Sequence, residues 1–228
     1  MRLVLLAASD LHCYDDGSKS LVREWAEYVQ EKKPADLILC GDIFDPWKAP
    51  WDTILSLEST AILQTLIRNR ADAGLLTWYI RGNHDYGIKP QWVEGATVCN
   101  KVILGDMEFR HGWERDAVWA VINRPAFWIA DHLPSVALRI HKMLYGEMPL
   151  SQYTVAPDPL SALEMCERWN LHVGAIHTLW REYADKHQRR VVIGHTHTIW
   201  VDPLLCDCGS LSYGQWLEIG ESVEVKTL

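Results

Sequence analysis

Residues 36–45 read DLILCGDIFD, an apolar run that leads directly into glycine and two aspartates. A short apolar run that ends in a turn signal predicts a buried β-strand. The same arrangement occurs twice more in the first half of the chain, where residues 3–8 precede SDLH at 9–12 and residues 75–80 precede GNHD at 82–85. The recurring unit of this sequence is therefore a strand that ends in polar side chains.

Amphipathic segments separate these predicted strands. Residues 18–33 and 53–70 carry apolar side chains at helical spacing, which predicts two helices. Strands that alternate with helices predict an α/β fold with a largely parallel sheet and right-handed crossovers. Further along the chain, residues 101–104 and 107–110 flank Gly-Asp and predict a hairpin, and residues 190–193 predict another buried strand.

Five of the predicted strands end in side chains with oxygen or nitrogen donors, and glycine precedes three of these clusters, which suits tight turns. Because open α/β sheets bind ligands at the C-terminal ends of their strands, we expect the donors to converge there. Carboxylate, amide and imidazole donors without a cysteine motif favour Mn, Fe or Zn over a structural cysteine-type zinc site. There are more donors than one cation needs, which suits two divalent metal ions about 3.5–4 Å apart that share a carboxylate. The candidate metal ligands are Asp10, His12, Asp42, Asn83, His111, His195 and His197.

The order of these blocks is itself informative. The motifs D-x-H at 10–12, G-D-x-x-D at 41–45, G-N-H-D at 82–85, then His111, and finally G-H-x-H at 194–197 resemble those of the calcineurin-like metallophosphoesterase superfamily. The resemblance implies that family's fold, an α/β αββα sandwich, here with a helical insertion. It also implies two ligand sets that share Asp42 as the bridge: Asp10, His12, Asp42 and His197 for one cation, and Asp42, Asn83, His111 and His195 for the other.

The same resemblance implies two catalytic residues. His84 matches the histidine that contacts a phosphoryl oxygen or protonates the leaving group, and Asp45 matches the carboxylate that orients it. Two cations would lower the pKa of a bridging water, so that hydroxide attacks phosphorus in line. The expected reaction is hydrolysis of a phosphomonoester, a phosphodiester or a pyrophosphate in a phosphorylated small-molecule, nucleotide or lipid-linked substrate.

Residues 113–187 predict a helical insertion within a single domain that spans 1–228. The insertion leaves the chain directly after His111 and returns one strand before His195, which predicts a cap that selects the non-phosphate part of the substrate. Apolar residues between 124 and 153 could line an acyl pocket or simply cover the core. We interpret the histidines of the insertion as ordinary helix residues: His132, His141, His172, His177 and His187.

Three branches of the superfamily differ from this chain at identifiable positions. Protein Ser/Thr phosphatases carry Arg after the second block, where this chain has Pro46-Trp47. The lipid A pathway enzyme UDP-diacylglucosamine pyrophosphohydrolase is similar in length and also has a helical insertion, but it normally carries Arg at the position of His84. Class III cyclic-nucleotide phosphodiesterases share the Gly-Asn-His-Asp/Glu block. The substrate therefore stays open.

Composition limits the class of protein, its compartment and its partners. With 48% apolar and 23% charged residues among 228, the chain is typical of soluble globular proteins, and its apolar runs are far shorter than the ~18 residues of a membrane span. The net charge of −8 argues against binding nucleic acid through the overall field. Six cysteines without a framework spacing predict a cytoplasmic protein with reduced thiols. The alternatives are a scaffold on the same fold, which would show substituted ligand positions, and a nuclease, which would favour a basic stripe.

Overall fold

Two β-sheets that pack face to face form the centre of the molecule. The computed structural model describes residues 4–116 and 159–228. Within those residues the strands are β1 (Leu5–Ala8), β2 (Asp36–Leu39), β3 (Leu76–Ile80), β4 (Thr97–Cys99), β5 (Val102–Leu104), β6 (Met107–Phe109), β7 (Arg190–Ile193), β8 (Ile199–Val201), β9 (Leu205–Cys208), β10 (Gln215–Ile219) and β11 (Val223–Thr227). The α-helices are α1 (Lys19–Lys32), α2 (Trp51–Leu55), α3 (Glu58–Asp72) and α4 (Pro159–His187).

The first sheet runs in the order β11-β10-β1-β2-β3-β4. Its strands β1 to β4 are parallel, in agreement with the prediction from strand–helix alternation. β10 and β11 extend the sheet with antiparallel pairing, so that Leu5 of β1 lies opposite Ile219 of β10. Antiparallel neighbours need only a tight turn between them, and a three-residue turn connects β10 to β11. The sheet is therefore mixed rather than parallel throughout.

The second sheet runs in the order β5-β6-β7-β9-β8. β5 and β6 form the predicted hairpin, with Val102 opposite Phe109. β6, β7 and β9 are parallel to one another, and β8 pairs antiparallel with β9. The parallel strands of both sheets therefore supply the ends that carry the candidate ligands.

Strand β2 shows how the layers are held together. Leu37 and Leu39 point toward α1 and α3 and join one buried cluster, whereas Ile38 and Cys40 point toward the second sheet and join another. Alternating side chains that are apolar on both faces are expected of a strand covered on both sides. The period-2 pattern of this strand thus builds two cores at once.

A third core lies on the outer face of the second sheet, where α4 packs. Its fully buried members are Ile176, Trp180, Ala184, Val191, Ile193 and Leu205. Burial of a Leu- or Ile-sized side chain contributes about 1.5–3 kcal/mol, so this contact fastens the helix firmly to the sheet. The order of layers is helix, sheet, sheet, helix, and the predicted αββα sandwich is confirmed.

The prediction of one continuous helix over residues 53–70 is wrong, because the structure has two helices there, α2 and α3. Leu57 adopts an extended backbone between them. Asp16 Oδ1 accepts a hydrogen bond from Ser59 N (3.2 Å), and Thr60 Oγ1 donates to Ile54 O (2.7 Å). These side chains satisfy backbone groups that the break exposes, and apolar periodicity alone does not reveal them.

The predicted insertion is helical where the structure describes it, since α4 covers residues 159–187. Residues 117–158, with His132, His141 and most of the apolar segment between 124 and 153, lie outside the described residues. Among the helices of the described residues, none has the length and apolar character needed to span a membrane.

Candidate metal centre

Five strands bring the candidate ligands to one end of the sandwich. The residues that follow the ends of β1, β2, β3, β6 and β7 are Asp10, Asp42, Asn83, His111 and His195. Backbone hydrogen bonds tie these ends together, because Asp10 N donates to Gly41 O (3.1 Å) and Gly194 N donates to His111 O (2.8 Å). The carboxyl ends of strands from both sheets therefore meet in one place.

Left-handed backbone is concentrated in the candidate ligands. Of the seven non-glycine residues with positive φ in the described part of the chain, five are Asp10 (56°), His12 (50°), Asp42 (53°), His195 (73°) and His197 (57°). Side chains other than glycine adopt this region at a cost of order 1–3 kcal/mol, and such residues cluster at functional sites. The surrounding structure must hold them in place, and one such contact is the bond from His195 N to Asp10 Oδ2 (2.8 Å).

Glycines allow the turns that bear the ligands to approach one another closely. A Cβ atom at Gly194 would lie 2.7 Å from Asp10 Oδ2, and one at Gly41 would lie 2.7 Å from His111 Nδ1. Gly41 also has a φ of 87°. The close packing of turns that the sequence suggested therefore occurs at both positions.

Asp10, His12 and His197 form what we call the open group. Their donor atoms lie within 4.8 Å of one another. His12 Nε2 is 3.2 Å from His197 Nε2, and Asp10 Oδ1 is 3.3 Å from His197 Nε2. Asp10 Oδ1 and His12 Nδ1 are buried, and among the described residues neither makes a hydrogen bond of good geometry, although His12 Nδ1 lies 3.5 Å from Asp45 Oδ2. The side chains of His12 and His197 are 12% and 33% exposed, so this group faces solvent.

Asp42, His111 and His195 form the buried group, again with donor atoms within 4.8 Å. His111 Nε2 lies 3.1 Å from Asp42 Oδ2 and 3.0 Å from Asn83 Oδ1. His111 Nδ1 lies 2.7 Å from Cys40 O, and because a carbonyl only accepts, Nδ1 carries the proton. The other ring nitrogen of His111 therefore faces two oxygen atoms, an arrangement that suits a cation among them.

Asp42 connects the two groups. It also forms a set of close donors with His12 and His84, and its Oδ1 accepts a hydrogen bond from His84 N (2.8 Å). One carboxylate thus lies next to members of both groups, as a bridging ligand would.

The pKa shifts of His12, His111 and Asp10 indicate that their surroundings favour positive charge. Burial by itself would lower the pKa of His12, but interaction with Asp10 and Asp45 raises it to about 10. Burial would also lower the pKa of His111, but the negative charge of Asp42 outweighs this effect. The pKa of His111 therefore lies well above its usual value. Burial would raise the pKa of Asp10, yet His197 and His12 hold it well below its usual range. Surroundings that favour a protonated imidazole also favour a metal cation, and the donor set fits divalent metal ions.

His84 and Asp45 lie beside the open group. His84 Nδ1 is 2.9 Å from Asp45 Oδ1, and its ring is 4.7 Å from the ring of His12. Burial would raise the pKa of Asp45, but the charge of His84 and bonds to His12 and His84 hold it well below its usual range. Lys48 Nζ lies 3.3 Å from Asp45 Oδ2. Asp45 is therefore an ionised carboxylate that fixes one nitrogen of His84.

Asp85, the last residue of the G-N-H-D motif, is buried and accepts hydrogen bonds from two loops. Its Oδ1 accepts from Gly82 N (2.7 Å), and its Oδ2 accepts from Ile43 N (2.8 Å) and from the Tyr79 hydroxyl (2.5 Å). Burial, together with the charge of Asp42, raises the pKa of this carboxyl group. Asp85 thus joins the second and third motif loops.

Sequence reasoning missed one residue at the centre. Asp116 is buried, and its Oδ2 lies 3.1 Å from His195 Nε2 and 2.9 Å from His172 Nε2. No motif marks Asp116, which follows a short 3-10 turn (Trp113–Arg115). Its partner His172 lies 56 residues further along the chain, so no local pattern links the two.

Two of the insertion's histidines are not ordinary helix residues, which corrects the interpretation from sequence. His172 contacts Asp116, and His177 Nε2 lies 3.0 Å from Asp207 Oδ2. Asp207 also accepts from Thr196 Oγ1 (2.7 Å), between the two histidines of the last motif. Helix periodicity cannot show such partners, because they come from elsewhere in the chain.

Comparison with known proteins identifies the family of this chain. The family described as calcineurin-like phosphoesterase matches residues 3–221. The chain belongs to that family. The protein is therefore a metallophosphoesterase, a phosphoric ester hydrolase, and the resemblance drawn from the order of motifs is confirmed. The family depends on two metal ions, and this phosphoesterase has groups of histidines and aspartates that could bind them.

Three solved structures illustrate how far the similarity extends. An archaeal phosphodiesterase is 14% identical, with 99% of this chain and 100% of that chain covered and a TM-score of 0.47. The protein TT1561 of Thermus thermophilus is 12% identical, with 100% and 99% covered and a TM-score of 0.48. A dimetal phosphatase from Danio rerio is 11% identical, with 99% and 98% covered and a TM-score of 0.42. No curated protein matches the sequence.

Proposed function

We propose that this phosphoesterase uses two divalent metal ions, of Mn, Fe or Zn, to hydrolyse a phosphomonoester, a phosphodiester or a pyrophosphate. Asp10, His12 and His197 would hold one ion, His111, His195 and Asn83 the other, and Asp42 both. The observation that carries the proposal is the position of Asp42, which is grouped with His12 on one side and with His111 and His195 on the other. Nitrogen and oxygen donors without cysteine fit these metals.

When bound, the two ions would supply an activated water and stabilise negative charge on the phosphoryl oxygens. The protein's own contribution is the placement of His84. Asp45 binds its Nδ1, so Nε2 is the ring atom that could reach a phosphoryl oxygen or a leaving group. The carboxylate of Asp45 fixes the imidazole of His84 through Nδ1, and a proton donor to a departing alkoxide must be held in this way.

The substrate we propose is a phosphorylated small molecule, a nucleotide or a lipid-linked phosphate, with the insertion (residues 113–187) as a cap that selects its non-phosphate part. α4 supports this role, since it places His172 beside Asp116 and so reaches the buried group. We also propose that the protein works in the cytoplasm, in keeping with the free thiols of Cys13, Cys40, Cys99, Cys206 and Cys208.

Metal analysis followed by a substrate panel tests the proposal. The purified protein should contain two divalent ions per chain and lose activity on chelation. The panel should include phosphomonoesters, phosphodiesters and nucleoside diphosphate conjugates, each with and without added Mn²⁺. A protein that binds no divalent ion, or that hydrolyses none of these with metal present, would contradict the proposed function.

A further inference from the structure

Asp116 lies at the start of the insertion, next to the buried group. Its Oδ2 is within hydrogen-bond distance of two imidazoles, His195 Nε2 at 3.1 Å and His172 Nε2 at 2.9 Å. A carboxylate oxygen accepts hydrogen bonds, so each of these nitrogens donates an N–H to it. A single buried oxygen thus holds one histidine of the last motif and one histidine of α4.

This contact determines which nitrogen of His195 can bind a cation. A neutral imidazole carries its proton on one ring nitrogen and a lone pair on the other. Because Nε2 carries the proton toward Asp116, the lone pair lies on Nδ1. His195 N also donates to Asp10 Oδ2 (2.8 Å), so both the backbone and the ring of this residue are held.

Asp116 is itself well supported. Its N donates to Trp113 O (3.0 Å), which closes the 3-10 turn. Trp180 Nε1 of α4 donates to Gly112 O (2.9 Å), at the beginning of the same turn. α4 therefore holds the turn through Trp180 and the carboxylate through His172.

We infer that Asp116 is a positioning residue for His195, that it fixes this ligand with Nδ1 directed to the second cation, and that His172 extends this support to α4. Partners of this kind orient metal-binding histidines, and their loss typically lowers metal affinity about 10–100-fold. The inference rests on the proposed function, because it assumes a cation at the buried group. It assigns to the insertion a part in metal binding in addition to any contact with substrate.

The chain offers a matched control. His177 lies five residues beyond His172 on α4, and its Nε2 is 3.0 Å from Asp207 Oδ2, which also accepts from Thr196 Oγ1 (2.7 Å). As in the pair of His172 and Asp116, a histidine of α4 contacts a buried carboxylate that also binds a residue of the loop 194–197. Thr196, however, is not a candidate ligand. Replacing Asp207 should therefore remove a contact of the loop 194–197, while the contact that orients His195 stays in place.

The test is a titration of metal-free protein with Mn²⁺ at one fixed pH, with the unbound ion followed by its paramagnetic resonance signal. The wild type should bind two ions per chain. D116A should weaken one of the two sites by about 10–100-fold and leave the other near its original affinity. D116N keeps an acceptor oxygen but loses the charge, so its effect should be smaller. D207N should leave both affinities within about twofold of the wild type.

The outcomes separate the two proposals. If the wild type binds two ions and D116A binds both as tightly, the inference about Asp116 is wrong while the proposed function stands. If D116A and D207N weaken binding equally, the effect is general to the loop and the inference is also wrong. If the wild type binds no Mn²⁺, the proposed function fails. If far-UV circular dichroism shows that D116A does not fold, D116N takes its place. Unchanged Mn²⁺ binding by H172A would overturn the part assigned to α4.

Discussion

The open group and the buried group contain the same kinds of donor, but the protein holds them differently. In the buried group, His111 Nδ1 donates to Cys40 O (2.7 Å) and His195 Nε2 lies 3.1 Å from Asp116. In the open group, His12 Nδ1 makes only a longer contact, 3.5 Å to Asp45 Oδ2. The side chains of His111 and His195 are 0% and 7% exposed, against 12% and 33% for His12 and His197.

This difference suggests a division of tasks between the two groups. A histidine whose second nitrogen is bound keeps its orientation and its tautomer, which strengthens metal binding. The buried group should therefore hold its cation more tightly and exchange it more slowly. The open group faces solvent and lies beside His84, so a substrate would approach the centre from that side.

The largest expected effect comes from Asp42→Asn, which would remove the charge that both groups share. Loss of a residue that only orients a metal ligand typically costs about 10–100-fold. Activity of D42N should fall by more than that, and both cations should bind more weakly. Metal content and initial rates measure this, with the exposed Asp52→Asn as a control. Two tightly held ions and a near-normal rate in D42N would show that the groups do not depend on a common ligand.

His84→Ala should change the chemistry while both groups keep their metal. Because His84 is placed to donate a proton, kcat should fall about 10²–10⁴-fold for esters with poor leaving groups and much less for nitrophenyl esters. Steady-state rates across a series of leaving groups, with metal content measured in parallel, provide the test. Equal losses across the series would indicate charge stabilisation instead, and loss of metal would make His84 a ligand.

Gradual removal of metal should distinguish the two groups directly. Dialysis against a weak chelator should leave one ion per chain, at the buried group. The hydrogen bonds that orient His111 and His195 should strengthen metal binding there by about 10–100-fold. The pKa of His12 is raised to about 10 and that of His111 lies well above its usual value, so a cation at either group must displace a proton. Affinity there should fall about tenfold for each unit by which the pH is lowered, for one displaced proton. Simultaneous loss of both ions, independent of pH, would contradict the comparison.

The smallest effect concerns Asp207, which supports the last motif but belongs to neither group. Burial, only partly offset by bonds from His177 and Thr196, raises the pKa of Asp207 to about 6. The folded protein therefore retains a proton that the unfolded chain releases near pH 4, so this contribution to stability is present at low pH and is lost as the pH rises to about 6. The Tm of the wild type relative to D207N should decrease over that interval. A relative Tm that increases with pH would contradict this.

Much of the centre could be predicted from the sequence because each ligand follows a strand. Asp10, Asp42 and Asn83 come after apolar runs, and parallel strands bring their carboxyl ends to one edge. Their order along the chain was enough to indicate the family. The break between α2 and α3 could not be predicted, because the apolar spacing continues across it while Asp16 and Thr60 supply the bonds that stabilise it.

The sequence by itself determined the alternation of strands and helices, the donor types and their order, because these depend on local periodicity and on residue chemistry. Only the tertiary structure decided how each ligand is held. Asp116 is five residues from His111 but 79 residues from the histidine that it contacts, His195. No local pattern encodes a hydrogen bond between residues so far apart in the chain. Such a bond depends on how α4 and the second sheet pack, and that packing is a property of the whole fold.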